Sequence, residues 1–196
     1  LVISSAISML RHVPIANKEV ISGNWRQHIG RQLSNLTVGI IGCGHIGKDL
    51  AKLLNAFGSN ILAYDILDFP EFYQEYNVTP VNINTLLRES DLVTLHLPLD
   101  DSTTNILNKE RMNLMKVSAL LINYSRGGLL DESELKSMLI NGQLAGAALD
   151  VFSQEPPEDQ ELINLPNFIV TPHIGGSSEE AVMAMGRSAI EGLDDY

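Results

Sequence analysis

The sequence predicts an α/β domain built on a doubly wound parallel sheet. Three observations carry that expectation. Short apolar runs alternate with stretches of helical pattern for most of the chain. That rhythm calls for right-handed crossovers and a sheet covered on both faces. The run Val38–Ile41 leads into glycines at 42, 44 and 47, directly before a helical stretch. A second run, Ile61–Tyr64, closes on Asp65, eighteen residues beyond Gly47.

The elements follow in chain order. Leu1 to Glu19 reads as helical, interrupted at Pro14, because proline lacks a donor and clashes with the preceding turn. Ser22 to Asn35 is polar and irregular, with Trp25 as its one large apolar anchor. Strands are expected at Val38–Ile41, Ile61–Tyr64, Leu92–Leu95, Ala119–Asn123, Gly146–Leu149 and Phe168–Val170. Helices are expected at Ile46–Phe57, Ile83–Glu89, Lys109–Met115, Glu132–Ile140 and Ser178–Ile190. Asp131 with Glu134, and Ser177 with Glu180, have the spacing of capping boxes, and Asn141-Gly142 is a helix stop. Gln154 to Glu161 must be a loop, since Pro156-Pro157 cannot join a ladder. No repeat, low-complexity tract or interior linker divides the chain, so residues 1–196 are expected to form one domain.

The glycines have distinct physical tasks. Gly42 allows a tight turn, Gly44 lets backbone approach a pyrophosphate, and Gly47 lets helix and strand pack closely. Amides at the following helix start would face phosphates, with the helix dipole favouring negative charge. A carboxylate at Asp65 stands where it can accept hydrogen bonds from an adenosine ribose and repel a 2′-phosphate. Together these imply a Rossmann-type dinucleotide site that prefers NAD to NADP.

Composition narrows the partners. The chain has 196 residues, 44% hydrophobic and 19% charged, which suits a globular core. A formal charge of −11 argues against nucleic acid and anionic membranes as partners. Cys43 is the only cysteine, so an internal disulfide is impossible and a reducing, cytoplasmic setting is expected. Between two glycines it reads as a small filler rather than a redox centre. No apolar run is long enough to span a bilayer. Leu1 to Leu10 fits a docking helix better than a signal peptide, and Leu1 suggests a fragment of something longer.

Ligands of an open parallel sheet sit beyond the carboxyl ends of its strands. Polar groups follow every expected strand: the glycine loop, Asp65, His96-Leu97-Pro98, Tyr124 to Gly128, Asp150 to Glu155, and Thr171-Pro172-His173. Taken singly, Arg126 reads as a surface arginine, Glu155 as a solvated charge, and His173 as a cap for the helix near Ser177. His96 only shapes the groove, and His12 and His28 read as exposed. No cluster has metal-ligand spacing, so no metal is implied, and Ser125 has no histidine placed as its base.

With their flanking residues these stations resemble the nucleotide-binding domain of the D-isomer-specific 2-hydroxyacid dehydrogenases. The matching stretches are Ser22–Trp25, Val38–Gly47, Ile122–Gly128, Ala148–Pro156 and Thr171–Gly176, covering nearly the whole chain. By that resemblance Arg126 grips the substrate carboxylate and carbonyl oxygen, His173 is the general acid/base, and Glu155 orients this imidazole and favours its charged form. Asp150 contacts the nicotinamide end of the cofactor. Gly42, Gly44, His45, Ile46, Gly47, Asp65, Leu97, Pro98, Thr103, Tyr124, Ser125, Arg126, His173 and Gly175 line the rest of the cofactor groove.

The resemblance also implies what the chain lacks. Family members carry a second, substrate-binding lobe, made mostly from residues before this segment plus a return stretch after it. Residues 1–20 resemble the helix that joins the lobes and helps form a twofold dimer, so a homodimer is expected, favoured by exposed apolar surface on Leu1 to Leu10. The expected partner is a small 2-hydroxy or 2-oxo acid, with 3-phosphoglycerate foremost. Phosphoglycerate dehydrogenases and hydroxypyruvate or glyoxylate reductases share all of these residues, and formate dehydrogenases are disfavoured by Glu155. A non-catalytic NAD-binding co-repressor or sensor of the same fold is the alternative.

Overall fold

The computed structural model describes residues 1–194. Its strands are β1 (Thr37–Ile41), β2 (Asn60–Tyr64), β3 (Val78–Pro80), β4 (Leu92–Leu95), β5 (Leu120–Asn123), β6 (Gly146–Leu149) and β7 (Phe168–Val170). All pair in parallel, in the order β3-β2-β1-β4-β5-β6-β7. The order reverses between β1 and β4, and a crevice opens there beyond the strand ends.

Alternation along the strands sorts the core into two layers. Val38 and Ile40 of β1, Leu92 of β4, Leu120 and Ile122 of β5, and Ala148 of β6 face one side. Ile41, Val93, Leu95, Leu121, Ala147 and Leu149 face the other. The first side is covered by α1 (Val2–Leu10), α3 (His45–Phe57) and α4 (Pro70–Glu75), through Ala6, Leu10, Leu50, Leu54 and Tyr73. The second is covered by α5 (Ile83–Glu89), α6 (Lys109–Met112), α7 (Glu132–Ile140) and α8 (Gln160–Ile163). In α3 the buried positions are 47, 50, 51 and 54, the spacing of one helical face. Fully burying a leucine such as Leu54 contributes about 2 kcal/mol. Strand pairing and buried faces on both sides explain why the continuous apolar runs predicted this sheet so directly.

The differences from expectation are local. β3 and the short helices α4 and α8 escaped the pattern; β3 is a three-residue edge strand ending in a proline, with only Val78 buried. The N-terminal helix breaks at Arg11-His12, not at Pro14. His12 adopts a left-handed φ of 55°, and Pro14 lies in the first turn of α2 (Val13–Ile21), where its missing N–H is no loss. Helix α6 ends at Met112, after which Leu114 and Met115 make tighter i→i−3 bonds. Helix α9 (Glu179–Asp194) is capped by Ser178, whose Oγ accepts from the amide of Ala181, rather than by Ser177. Asp131 caps α7 as expected by accepting from the amide of Glu134.

Two side chains and one helix also sit differently. Trp25 is 86% exposed and anchors nothing within the chain. His28 is not free on the surface; its Nε2 pairs with Glu19 at 2.6 Å, and both are half-buried. Helix α1 docks on its own sheet, burying Ala6 and Leu10, so the most exposed apolar residues before β1 lie further on, at Ile21, Trp25 and Ile29.

Candidate cofactor and catalytic site

The left half of the crevice is made by backbone. Gly42 adopts a φ of +97°, and a Cβ there would land on the carbonyl of His96. A Cβ on Gly47 would strike the carbonyl of Gly42 and meet Ile40 Cγ2 at 3.3 Å, so α3 crosses β1 at glycine distance. Gly44 differs. A Cβ built on it meets nothing within 4 Å, leaving open space in front of the N-terminus of α3. Gly44 is the N-cap and has no side chain to satisfy the first amides, while His45 and Ile46 are exposed at the opening. This cradle fits a pyrophosphate: close backbone, unclaimed amides and no obstructing side chain.

Asp65 follows β2 and serves the loop as well as the groove. Its Oδ2 accepts from the amide of Cys43 at 2.6 Å, and its Oδ1 accepts from the amide of Leu67 at 2.9 Å. Cys43 is fully buried, and burial pushes its thiol up from the ordinary value, which suits a filler and not a nucleophile. Beyond β4, Leu97 is half-buried and Pro98 exposed. Thr103 fastens this turn, donating from Oγ1 to the carbonyl of Pro98 and accepting from the amide of Asp100, each at 2.8 Å. His96 Nε2 lies 3.0 Å from Thr94 Oγ1, and burial pulls the imidazole down to about 4.

The right half is made by side chains. Buried Asn123 ends β5; its Nδ2 donates to the carbonyl of Arg126 at 2.8 Å, and its Oδ1 accepts from the amide and hydroxyl of Ser125. Tyr124 Oη and Ser5 Oγ are 2.6 Å apart, tying this turn to α1. Arg126 is thereby presented at the surface, with Nη1 donating to the carbonyl of Ser125 at 2.6 Å. Gly127 is needed where it stands, since a Cβ would strike the carbonyl of Phe152.

His173 Nδ1 and Glu155 Oε2 are 2.8 Å apart. Glu155 Oε1 also accepts from the amide of Phe152 at 3.0 Å. The His173 hydrogen bond first, then the Phe152 amide, hold the Glu155 carboxyl below its ordinary value, with a smaller contribution from the charge of Arg126. His173 has a φ of +55°, sparsely populated for a non-glycine residue. Asp150, 1% exposed, maintains that bend. Its Oδ1 accepts from Thr171 Oγ1 and from the amide of Ile174, its Oδ2 accepts from the amide of Gly175 at 2.7 Å, and its carbonyl accepts from the amide of His173 at 2.9 Å. So the Asp150 carboxylate is taken up by the loop, while the residue also borders the cavity beside His173. A cavity of about 410 Å³ adjoins the pair, its lining including Asp150, Phe152, Glu155, Val170, Thr171 and His173.

The structure thus brings Arg126, Glu155 and His173 to the same strand-end rim as the glycine loop. Asn123 and Thr171, which the matching stretches contain without a role, and Thr94, which the motif reading passed over, are supporting residues. Their one signal was a polar residue within or just after an apolar strand. Among the described residues, no group of three or more His, Cys, Asp or Glu side chains is placed to hold a metal ion. No helix among the described residues is long and apolar enough to cross a membrane.

A parallel sheet with a reversal point, a glycine cradle and an acid at the end of β2 defines a dinucleotide-binding domain. Residues 3–175 match the family described as D-isomer specific 2-hydroxyacid dehydrogenase, NAD binding domain, and the chain belongs to that family. It is 39% identical over 191 residues to a D-3-phosphoglycerate dehydrogenase of Synechocystis sp., covering 96% of this chain and 34% of that protein. It is 38% identical to a hydroxypyruvate reductase of Thermotoga maritima, covering 94% of this chain and 61% of the relative. Among solved structures it superposes on a glyoxylate reductase from Paecilomyes thermophila with a TM-score of 0.91 at 31% identity, over 98% of this chain and 59% of that one. The chain therefore spans between about one third and three fifths of the length of these relatives.

Proposed function

We propose that the chain is the cofactor half of an NAD-dependent oxidoreductase. Its substrates would be a D-2-hydroxy acid and the matching 2-oxo acid, with 3-phosphoglycerate or a related small acid foremost. The observation that carries this reading is the His173–Glu155 pair, 2.8 Å apart, on the same rim as Arg126 and the glycine loop. Bound NAD would supply a nicotinamide that takes a hydride from C2, or returns it. The groove residues for it are those named from the sequence, with Asp65 selecting NAD by repelling a 2′-phosphate.

Arg126 binds the substrate carboxylate and carbonyl oxygen through its two-pronged guanidinium. With Nδ1 held by Glu155, His173 presents Nε2 to the substrate oxygen. In the oxidative direction Nε2 takes the hydroxyl proton as the C2–H bond breaks. In the reductive direction it returns that proton to the carbonyl oxygen. Glu155 keeps the ring oriented throughout. Asp150 and Gly175 stabilise the bend in which His173 is presented, with Asp150 near the nicotinamide end.

The test is a dehydrogenase assay of the longer protein against a panel of 2-hydroxy and 2-oxo acids, with a His173→Ala control. Turnover lost with NAD binding kept places His173 in the chemistry. NAD binding without turnover on any acid would favour a co-repressor or sensor instead, and a clear preference for NADPH would overturn the role of Asp65. The 196-residue chain alone is expected to bind NAD and turn over poorly, since the relatives extend well beyond the matched span.

Residues 1–20, folded as α1 and α2 rather than one helix, would form the interlobe and dimerisation segment. The exposed Ile21, Trp25 and Ile29 beside it support a homodimer, and a monomer by light scattering at high concentration would refute that. The single buried thiol of Cys43 supports a cytoplasmic setting.

A further inference from the structure

Glu132 is the first residue of α7, yet the capping there is done by Asp131, which accepts from the amide of Glu134. The Glu132 carboxylate turns elsewhere. Its Oε1 accepts from both the amide and the hydroxyl of Ser153, each at 2.7 Å, across 21 residues of sequence. Ser153 lies in the turn that carries Glu155, next to Phe152, whose amide donates to Glu155 Oε1. Two consecutive amides of one turn are therefore each fixed by a different carboxylate.

The geometry points to Glu132 as a positioning residue. It holds the 152–155 turn so that Glu155 stays in hydrogen-bond register with His173, given the catalytic role proposed above for that pair. Its anchorage is firm, because α7 buries Leu135, Met138 and Leu139 in the core. The other side of the turn is also fixed: Phe152 is buried, its ring packs edge-on against Phe168 at 6.5 Å, and its carbonyl lies against Gly127. Ser153 itself is exposed and has no apolar anchor. Among the described residues, Glu132 is the one side chain that bonds it. A hydrogen bond to an ionised acceptor is roughly twice as strong as a neutral one, and here one oxygen receives two. The charged groups facing Glu155 are His173 and Arg126, so releasing the turn removes Glu155 from both.

The experiment follows the Glu155 carboxyl by carbon-detected NMR titration of the 196-residue chain without cofactor, using Glu155→Gln to assign the signal. In the unmodified chain Glu155 titrates below its ordinary value. In Glu132→Ala it is expected to move back up toward that value, and the Ser153 amide should lose about tenfold or more in hydrogen-exchange protection. Glu132→Gln keeps a carbonyl oxygen able to accept both bonds and should restore most of the behaviour. Ser153→Ala removes one donor and should fall between. A folded Glu132→Ala chain with Glu155 unmoved overturns the assignment, as does a Gln variant that behaves like Ala. Should Glu132→Ala fail to fold, an unmoved Glu155 in Ser153→Ala overturns it. None of these readouts requires turnover. An active His173→Ala enzyme would end the functional reading with this result intact, and an unmoved Glu155 would do the reverse.

Discussion

The two halves of the crevice are built by opposite means. Around β1 and β2 the site is made by leaving atoms out: Gly42 and Gly47 have no room for a Cβ, and Gly44 faces open space. Around β5, β6 and β7 it is made by adding them: Arg126, Glu155 and His173 stand on loops held by Asn123, Glu132 and Asp150. A backbone cradle recognises what all dinucleotides share. A side-chain constellation can be tuned to a reaction. The first half should therefore break when a substitution adds volume, and the second when one removes a functional group.

The largest effect is expected on the side-chain half. His173→Ala should lower kcat/KM of the longer protein by about 10²–10⁴-fold with NAD affinity changed little. A parallel loss of NAD binding would show that the two halves are not separable. Next comes the backbone half. Gly47→Val should destabilise the chain by about 3 kcal/mol or more in urea unfolding, because helix and strand must part to admit the side chain. A stable variant would mean that α3 can shift freely.

The third prediction concerns His96, which sits where the two halves meet. Burial pulls it to about 4, against 6.5 in the unfolded chain. Between those values the unfolded chain binds a proton that the folded chain does not, so stability rises with pH across that window. Acidification from pH 6.5 to 4 should cost about 3 kcal/mol, and His96→Gln should flatten the curve. The Asp91 carboxyl, which accepts from the Thr37 amide and faces Lys116 and Arg31, and the Glu155 carboxyl are held below their ordinary values, so their contributions are present at neutral pH and lost only at more acid pH. The smallest effect is the most selective. Gly44→Ala meets no atom of the chain, so unfolding should be nearly unchanged while NAD affinity falls about tenfold, or 1.4 kcal/mol. Unchanged affinity would place the phosphates elsewhere.

Legibility in the sequence followed the same divide. The glycine loop and Asp65 are local signals, because a turn, a helix start and a strand end are contiguous in the chain. Arg126, Glu155 and His173 were readable only through their flanking motifs, since each alone looks like an ordinary surface residue. Glu132 carried no signal at all. A glutamate in the first turn of a helix is expected for dipole reasons, and its partner lies 21 residues away. Trp25 misled in the opposite direction. A large apolar residue in a polar stretch suggests an anchor, yet 86% of it is exposed.

By itself, then, the sequence determined the layered α/β fold, because continuous apolar strand runs and a period-3.6 helix face are properties of neighbouring residues. It also determined the dinucleotide cradle, since each glycine excludes a side chain at its own position. The tertiary structure gave the Glu155–His173 pair its geometry, and it alone decided that the Asp150 carboxylate works from inside the loop and that Glu132 ties the turn to α7. Those contacts join residues from separate strand-end loops, and only the parallel pairing of β5, β6 and β7 brings those ends together.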